Sequence, residues 1–117
     1  MNNRYVVQGI VLDLLAGKSV MLYTPGCRRD AMDTFAAVIA RLDPEDVAKV
    51  VRRHGGEEIQ MRDPRARLLV RASPQGLRGC SPDVLVYYCH GENGRLDAAV
   101  AEAASIRASG AEVVDLR

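Results

Sequence analysis

Residues 83–89 read DVLVYYC and carry the strongest strand signal in the chain. A Ser-Pro turn precedes them at residues 81–82, and an uninterrupted run of apolar and aromatic β-formers follows Asp83. Such a run, bounded on both sides by turn residues, is typical of a strand in a protein core. A short polar loop, CHGENG (89–94), ends the run.

The segments before and after this strand alternate between helical and extended patterns. Apolar residues at helical spacing predict helices over residues 4–16, with Gly17 after the last turn, and over residues 30–42. Asp43-Pro44 is typical of a helix N-cap and first helical residue, and predicts a further helix that ends at Gly55-Gly56. The other predicted elements are strands over 19–24, 57–62, 66–73, 83–89 and 112–116, and an Ala-rich helix over 95–109.

This order of elements, α-β-α-α-β-β-β-α-β, predicts a single α/β domain over residues 1–117. Helices between strands imply parallel crossover connections, so we expect a three-layer α/β/α domain with a mostly parallel central sheet. The three-residue turn 63–65 predicts that strands 57–62 and 66–73 form one antiparallel hairpin. A chain of 117 residues is the size of one domain.

Composition restricts the cellular setting. The N-terminus shows no secretory signal, and no apolar run is long enough to span a bilayer. Three cysteines do not form a disulfide framework, so we expect a cytoplasmic protein with reduced thiols that does not bind membranes. No Cys-x-x-Cys or His-x-x-x-His pair is present, so no metal site is expected.

Charge is unevenly distributed along the chain. Residues 52–78 carry seven arginines against three acidic residues, whereas residues 79–117 carry three arginines against six. The middle of the chain is therefore the part expected to face an anion, and its predicted strand 66–73 presents Arg67 and Arg71. The alternative is a solvated hairpin that is merely rich in arginine.

Two stretches resemble the ATPase domain of phage large terminase subunits and, more loosely, superfamily 2 helicases. They are LLAGKSVMLYTPGCRRDAMDTFAAVIARL (14–42) and EEIQMRDPRARLLVRASPQGLRGCSPDVLVYY (57–88). In that family the first stretch corresponds to a helix, a strand and a Thr-Pro turn, and the second to a hairpin, an Arg-Gly loop and the second acidic motif. The resemblance implies a truncated P-loop-NTPase-like core and a phage protein, which would place it in the host cytoplasm.

The nucleotide motifs of that family are absent here. No strand and Gly-rich loop precede the first helix, and AGKS (16–19) follows a helix instead of preceding one. Tyr88 falls where the family has its magnesium-binding Asp, and Cys89 falls on its catalytic Glu. Without these carboxylates nothing holds Mg²⁺ or orients the attacking water, so we expect no ATP hydrolysis and no cofactor.

The loop at Cys89 allows a different interpretation. Cys89 is followed five residues later by Gly94 and then by Arg95, at a predicted strand-to-helix junction. Cysteine-dependent phosphatases and rhodanese-like sulfurtransferases have this arrangement, with a thiolate nucleophile and an arginine that clamps an oxyanion. The alternative is that Cys89 is a small apolar side chain at a strand end.

The sequence therefore predicts a non-catalytic binding protein on a degenerate terminase- or helicase-like core. Its partner would be another protein, such as an ATPase subunit, a second copy of itself, or nucleic acid. A sheet that lacks its first strand exposes an edge, which favours a homo-oligomer. The candidate contacts are Thr24, Arg28, Arg29 and Arg78 from the resemblance, and Arg67 and Arg71 from charge.

Overall fold

The computed structural model describes residues 4–24, 28–71, 82–87 and 112–115. This part of the chain forms an α/β fold with two helices, α1 (Arg4–Leu15) and α2 (Arg28–Arg41). The strands are β1 (Ser19–Tyr23), β2 (Val47–Val51), β3 (Glu58–Met61), β4 (Arg67–Arg71), β5 (Val84–Tyr87) and β6 (Glu112–Asp115). No helix of the described residues is long and apolar enough to cross a membrane.

The strands form one mixed sheet in the order β2-β3-β4-β1-β5-β6. Strands β4, β1, β5 and β6 pair in parallel, whereas β3 pairs antiparallel with both β2 and β4. The predicted parallel centre and the β3–β4 hairpin are therefore confirmed. Strand β1 lies between β4 and β5, so its carboxyl end opens at the middle of the sheet.

The helix predicted from Asp43 to Gly55-Gly56 is wrong. Asp43 does cap a helical turn, and its side chain accepts a hydrogen bond from the backbone N–H of Glu45, but this 3₁₀ turn covers only Pro44–Asp46. Strand β2 follows and carries a β-bulge between Val47 and Lys49. Because the bulge adds one residue, Val47 and Val50 contact the same core face at a spacing that imitates a helix.

One face of the sheet packs against both helices. The core there combines apolar side chains of α1, α2 and the strands: Val7, Ile10, Val11, Leu14, Val20, Leu22, Ala31, Phe35, Val38, Leu42, Ile59, Met61, Ala66, Leu68, Val70, Val84 and Val86. These positions follow the 3.6-residue period on the helices and the two-residue period on the strands, which explains why both helices were predictable.

The opposite face of the sheet is also buried at its centre. The parallel register places five apolar or aromatic residues on that face, and all are shielded from solvent: Met21, Tyr23, Leu69, Leu85 and Tyr87. Leu69 lies on the same face of β4 as Arg67 and Arg71, but it is buried because β4 is an interior strand.

Helix α1 ends as its sequence predicts. Gly17 has φ +83°, a left-handed conformation that favours glycine, and its N–H donates to the carbonyl of Leu14 at 3.1 Å. The N–H of Lys18 donates to the carbonyl of Asp13 at 3.0 Å. This C-terminal cap turns the chain directly into β1.

Candidate functional site

The carboxyl edge of the parallel strands is the natural place for a site in this fold. The chain leaves β1 towards β2, β3 and β4 through α2, whereas β5 and β6 lie on the other side of β1 in the strand order. Ligands of α/β proteins bind outside the strand ends where such connections diverge. At this edge Tyr23 and Tyr87 stand side by side, with ring centroids 5.8 Å apart and tilted by 42°.

The topology brings arginines from three elements to this edge. Helix α2 begins here with Arg28 and Arg29, and β4 ends here with Arg71. Strand β2 runs antiparallel to β3, so the turn between them, residues 52–57, lies at the same edge and brings Arg52 and Arg53.

Three of these arginines have side chains with no ion-pair partner in the described part of the chain. Arg29, Arg52 and Arg53 are exposed, and none of their guanidinium groups forms an ion pair or hydrogen bond with another described residue. His54 is exposed in the same turn. The opposite, amino edge of the sheet carries most of the acidic residues of the described chain: Asp13, Asp43, Glu45, Asp46, Asp63, Asp83 and Glu112. Basic residues also lie at the amino edge, where Lys18, Arg65 and Arg67 each lie within 4.0 Å of a carboxylate. The carboxyl edge differs because Arg29, Arg52 and Arg53 have no such partner among the described residues.

Arg28 is tied to a buried carboxylate. Its Nη2 donates to Glu57 Oε2 at 2.7 Å, and the Glu57 side chain is only 4% exposed while that of Arg28 is 41% exposed. Burial raises the pKa of Glu57, but the hydrogen bond from Arg28 and the nearby backbone N–H groups of Glu57 and Gly55 outweigh it. The net pKa of Glu57 lies below its usual value, so the residue is ionised at neutral pH.

A small cavity lies beside this ion pair. Its volume is about 10 Å³, and Thr24, Arg28, Glu57 and Arg71 supply its polar lining. Thr24 Oγ1 and Glu57 Oε1 are buried and make no hydrogen bond with described residues. Buried polar atoms usually have a partner, so two unsatisfied atoms on one cavity point to a group that the described residues do not provide.

Arg71 fixes the backbone around this cavity through hydrogen bonds. Its Nη1 donates to the backbone carbonyls of Glu57, at 3.2 Å, and of Val70, at 2.8 Å. The N–H of Thr24 donates to the carbonyl of Arg71 at 3.0 Å, and the N–H of Val70 donates to the carbonyl of Glu57 at 3.1 Å. The backbones of β1, β3 and β4 are therefore locked together around the cavity.

The candidate residues predicted from the sequence separate into three groups. Thr24, Arg28, Arg29 and Arg71 come together at the carboxyl edge. Arg67 lies at the other end of β4, 4.0 Å from Glu58, and is not part of this cluster. Arg78, Cys89 and Arg95 lie outside the described residues.

Glu57, Arg52 and Arg53 were missed by sequence reasoning. Arg52 and Arg53 were assigned to the end of a helix that does not exist, and with it His54. Glu57 was assigned to a hairpin strand, with no indication of its partner Arg28 29 positions earlier. A Gly-Gly pair followed by an acidic residue is a turn signal, but no local signal identifies an ion pair across the sheet.

A second surface feature lies on α1. The groove between α1 and strands β5 and β6 has a volume of about 300 Å³ and is lined by Tyr5, Val6, Gly9, Ile10, Asp13, Val84, Val86 and Val114. Beside it, Tyr5 is 72% exposed, Leu12 55% and Leu15 56%. Burial and repulsion from Glu112 raise the pKa of Asp13 despite the opposing effect of Lys18. This helix is thus apolar on its outer as well as its inner side.

Among the residues that the structure describes, no group of three His, Cys, Asp or Glu side chains could hold a metal ion. Comparisons of the chain with protein-family models, with curated proteins and with solved structures find no match.

Proposed function

We propose that this protein is a non-catalytic nucleic-acid-binding protein that contacts phosphates with the carboxyl edge of its sheet. The observation that carries the proposal is the group of exposed arginines at the carboxyl edge, Arg29, Arg52 and Arg53, whose guanidinium groups form no ion pair with another described residue. Unpaired arginines bind phosphate oxygens in a bidentate manner and release counterions from the nucleic acid.

The fold that we propose around this edge is a degenerate terminase- or helicase-like core, with three α/β/α layers. The second layer of helix would be the predicted helix 95–109 on the face opposite α1 and α2. The burial of Met21, Leu69 and Leu85 on that face supports it, because neither described helix packs there. The proposed setting is the cytoplasm, that of a host cell if a phage encodes the protein.

Salt-dependent binding tests the proposal. Fluorescence anisotropy with labelled single-stranded and duplex DNA should show an affinity that falls steeply between about 50 and 200 mM salt. Arg52→Ala combined with Arg53→Ala should weaken binding to all sequences and reduce the salt slope by about two, roughly one for each phosphate contact.

The chain supplies a matched control at the opposite edge of the sheet. Arg62→Ala combined with Arg65→Ala removes the same charge, but Arg65 is paired with Asp63 at 3.1 Å and both arginines lie at the acidic amino edge. This control should leave the salt slope unchanged. An equal effect of both double variants, or no binding at 50 mM salt, would refute the proposed interface.

A second candidate function is self-association, which the outer side of α1 favours. Tyr5 and Leu12 lie two turns apart on the same side of the helix, and Gln8 between them accepts a hydrogen bond from Arg41 at 3.1 Å. An antiparallel two-fold pairing would therefore place Tyr5 of one copy against Leu12 of the other, and the reverse. The exposed apolar area of Tyr5, Leu12 and Leu15 favours a second copy as the partner, and the Arg4 guanidinium, 5.1 Å from the centre of the Tyr5 ring, would lie beside the contact.

A further inference from the structure

The cavity beside Thr24 is too small for any ligand but is built like part of an anion site. It holds about one water molecule as it stands. It lies at the first turn of α2, a 14-residue helix whose free N–H groups favour negative charge. The Arg28 guanidinium lines it together with the buried Thr24 hydroxyl, which has no hydrogen-bond partner among the described residues.

The anion now at this position is the carboxylate of Glu57. It accepts the 2.7 Å hydrogen bond from Arg28 with one oxygen and leaves its other oxygen and the Thr24 hydroxyl unsatisfied. A carboxylate has two oxygens, whereas a phosphate group has more and arranges them tetrahedrally. A phosphate could therefore accept from Arg28, from Thr24 and from the N–H groups of α2 together.

We propose that Thr24 and Arg28, with the N-terminus of α2, form a subsite for one phosphate group that Glu57 occupies in the unliganded protein. The proposal rests on the proposed function, because the phosphate would belong to the nucleic acid held by Arg52 and Arg53. Glu57 acts as an internal competitor, and the ligand phosphate must displace its side chain from Arg28.

The displacement needs only a side-chain rotation. The backbone of Glu57 is fixed by hydrogen bonds from Val70 and Arg71 to its carbonyl. The chain just before it is the β2–β3 turn, where Gly55 has φ +77° and the exposed carboxyl edge begins. Rotation about the side-chain bonds of Glu57 would carry its carboxylate from the cavity to solvent and leave the sheet unchanged.

The decisive experiment compares Glu57→Gln with Glu58→Gln in titrations with inorganic phosphate followed by calorimetry. Both variants remove one negative charge from adjacent residues, but only Glu57 competes for Arg28. Glu57→Gln should bind phosphate about tenfold more tightly than the wild-type protein, because the neutral glutamine amide competes less strongly than a carboxylate for Arg28. Glu58→Gln should bind as the wild-type protein does. Equal affinities of the two variants would overturn the proposal.

Two further measurements identify the site and protect the test against misfolding. Adding Arg28→Met or Thr24→Val to Glu57→Gln should remove most of the gain. If Glu57→Gln does not fold, Thr24→Val in the otherwise wild-type protein should still weaken phosphate binding severalfold, and an unchanged affinity would overturn the proposal.

The same variants, titrated with labelled DNA, separate this subsite from the wider interface. DNA binding that depends on Arg52 and Arg53 but does not respond to Glu57→Gln would leave the proposed function intact and refute the subsite alone. If no arginine variant lost DNA binding while Glu57→Gln still bound phosphate more tightly than the wild-type protein, the wider interface alone would be refuted.

Discussion

Replacing Arg28 with Met would remove the cation that holds Glu57 in the interior while keeping most of the aliphatic stem. Breaking a fully buried ion pair at one partner costs about 3–5 kcal/mol, since the remaining charge is left without compensation. Arg28 is 41% exposed, so water screens part of this interaction and a loss of about 2–3 kcal/mol is expected at pH 7. Removing a cation from the start of α2 offsets about 0.3–1 kcal/mol of it.

The pH dependence of this loss distinguishes the ion pair from simple packing. In the wild-type protein the pKa of Glu57 is lowered, so the pair stabilises the fold above the ordinary carboxyl pKa, 4.5. That contribution is lost as pH falls through the lower pKa of the folded state. In Arg28→Met burial dominates and raises the pKa of Glu57, so the variant is penalised at neutral pH and relieved when the carboxyl is protonated. The difference in stability should therefore be largest near pH 7 and shrink as pH falls to about 4 and below.

Urea unfolding followed by circular dichroism between pH 4 and 8 measures both effects. The free energy of unfolding follows from the midpoint and slope at each pH. Arg29→Met is the matched control, because it removes the adjacent, exposed and unpaired arginine from the same helix end. Its stability should change by no more than about 0.5 kcal/mol at any pH. If Arg28→Met and Arg29→Met behaved alike, or if the Arg28→Met loss did not depend on pH, the ion-pair reasoning would be wrong.

Two predictions concern α1. Gly17→Ala should destabilise the protein by about 1–2 kcal/mol, because alanine at φ +83° is strained, whereas Gly9→Ala, in the helix interior with open space around it, should stabilise it by about 0.5–1 kcal/mol. Thermal melts would show opposite shifts, and shifts of the same sign would contradict this account of the helix end. Leu12→Glu should convert a self-associated protein to monomer in sedimentation or light-scattering measurements, whereas Ala36→Glu on the exposed side of α2 should not; a mass unaffected by Leu12→Glu would exclude the α1 surface.

Several elements were determined by the sequence alone because their signals are local. The periods of apolar residues identified α1, α2 and β5, and the Gly17 signal identified the end of α1. The short turn at residues 63–65 identified the β3–β4 hairpin. In each case the pattern lies within one element and matches the face that the element buries.

The residues of the candidate site could be predicted only in part from local sequence patterns. Thr24, Arg28, Arg29 and Arg71 were named from the sequence, and they meet at the carboxyl edge because a parallel sheet aligns the ends of its strands. Arg67, like Arg71, was named from charge, but Arg67 begins strand β4 and Arg71 ends it, so the two lie at opposite edges of the sheet. Charge along the sequence does not report which end of a strand a residue occupies.

Only the tertiary structure determines that residues 47–51 form strand β2 and that Arg28 pairs with Glu57. The apolar spacing of residues 47–51 suits a helix, and only pairing with β3 and the bulge at Val47 make it a strand. Glu57 meets Arg28 because β3, β4 and β1 are adjacent in the sheet, which no local pattern encodes. Strand register and order are set by which apolar faces can be buried together, so contacts between distant residues follow from the assembled sheet and not from any single segment.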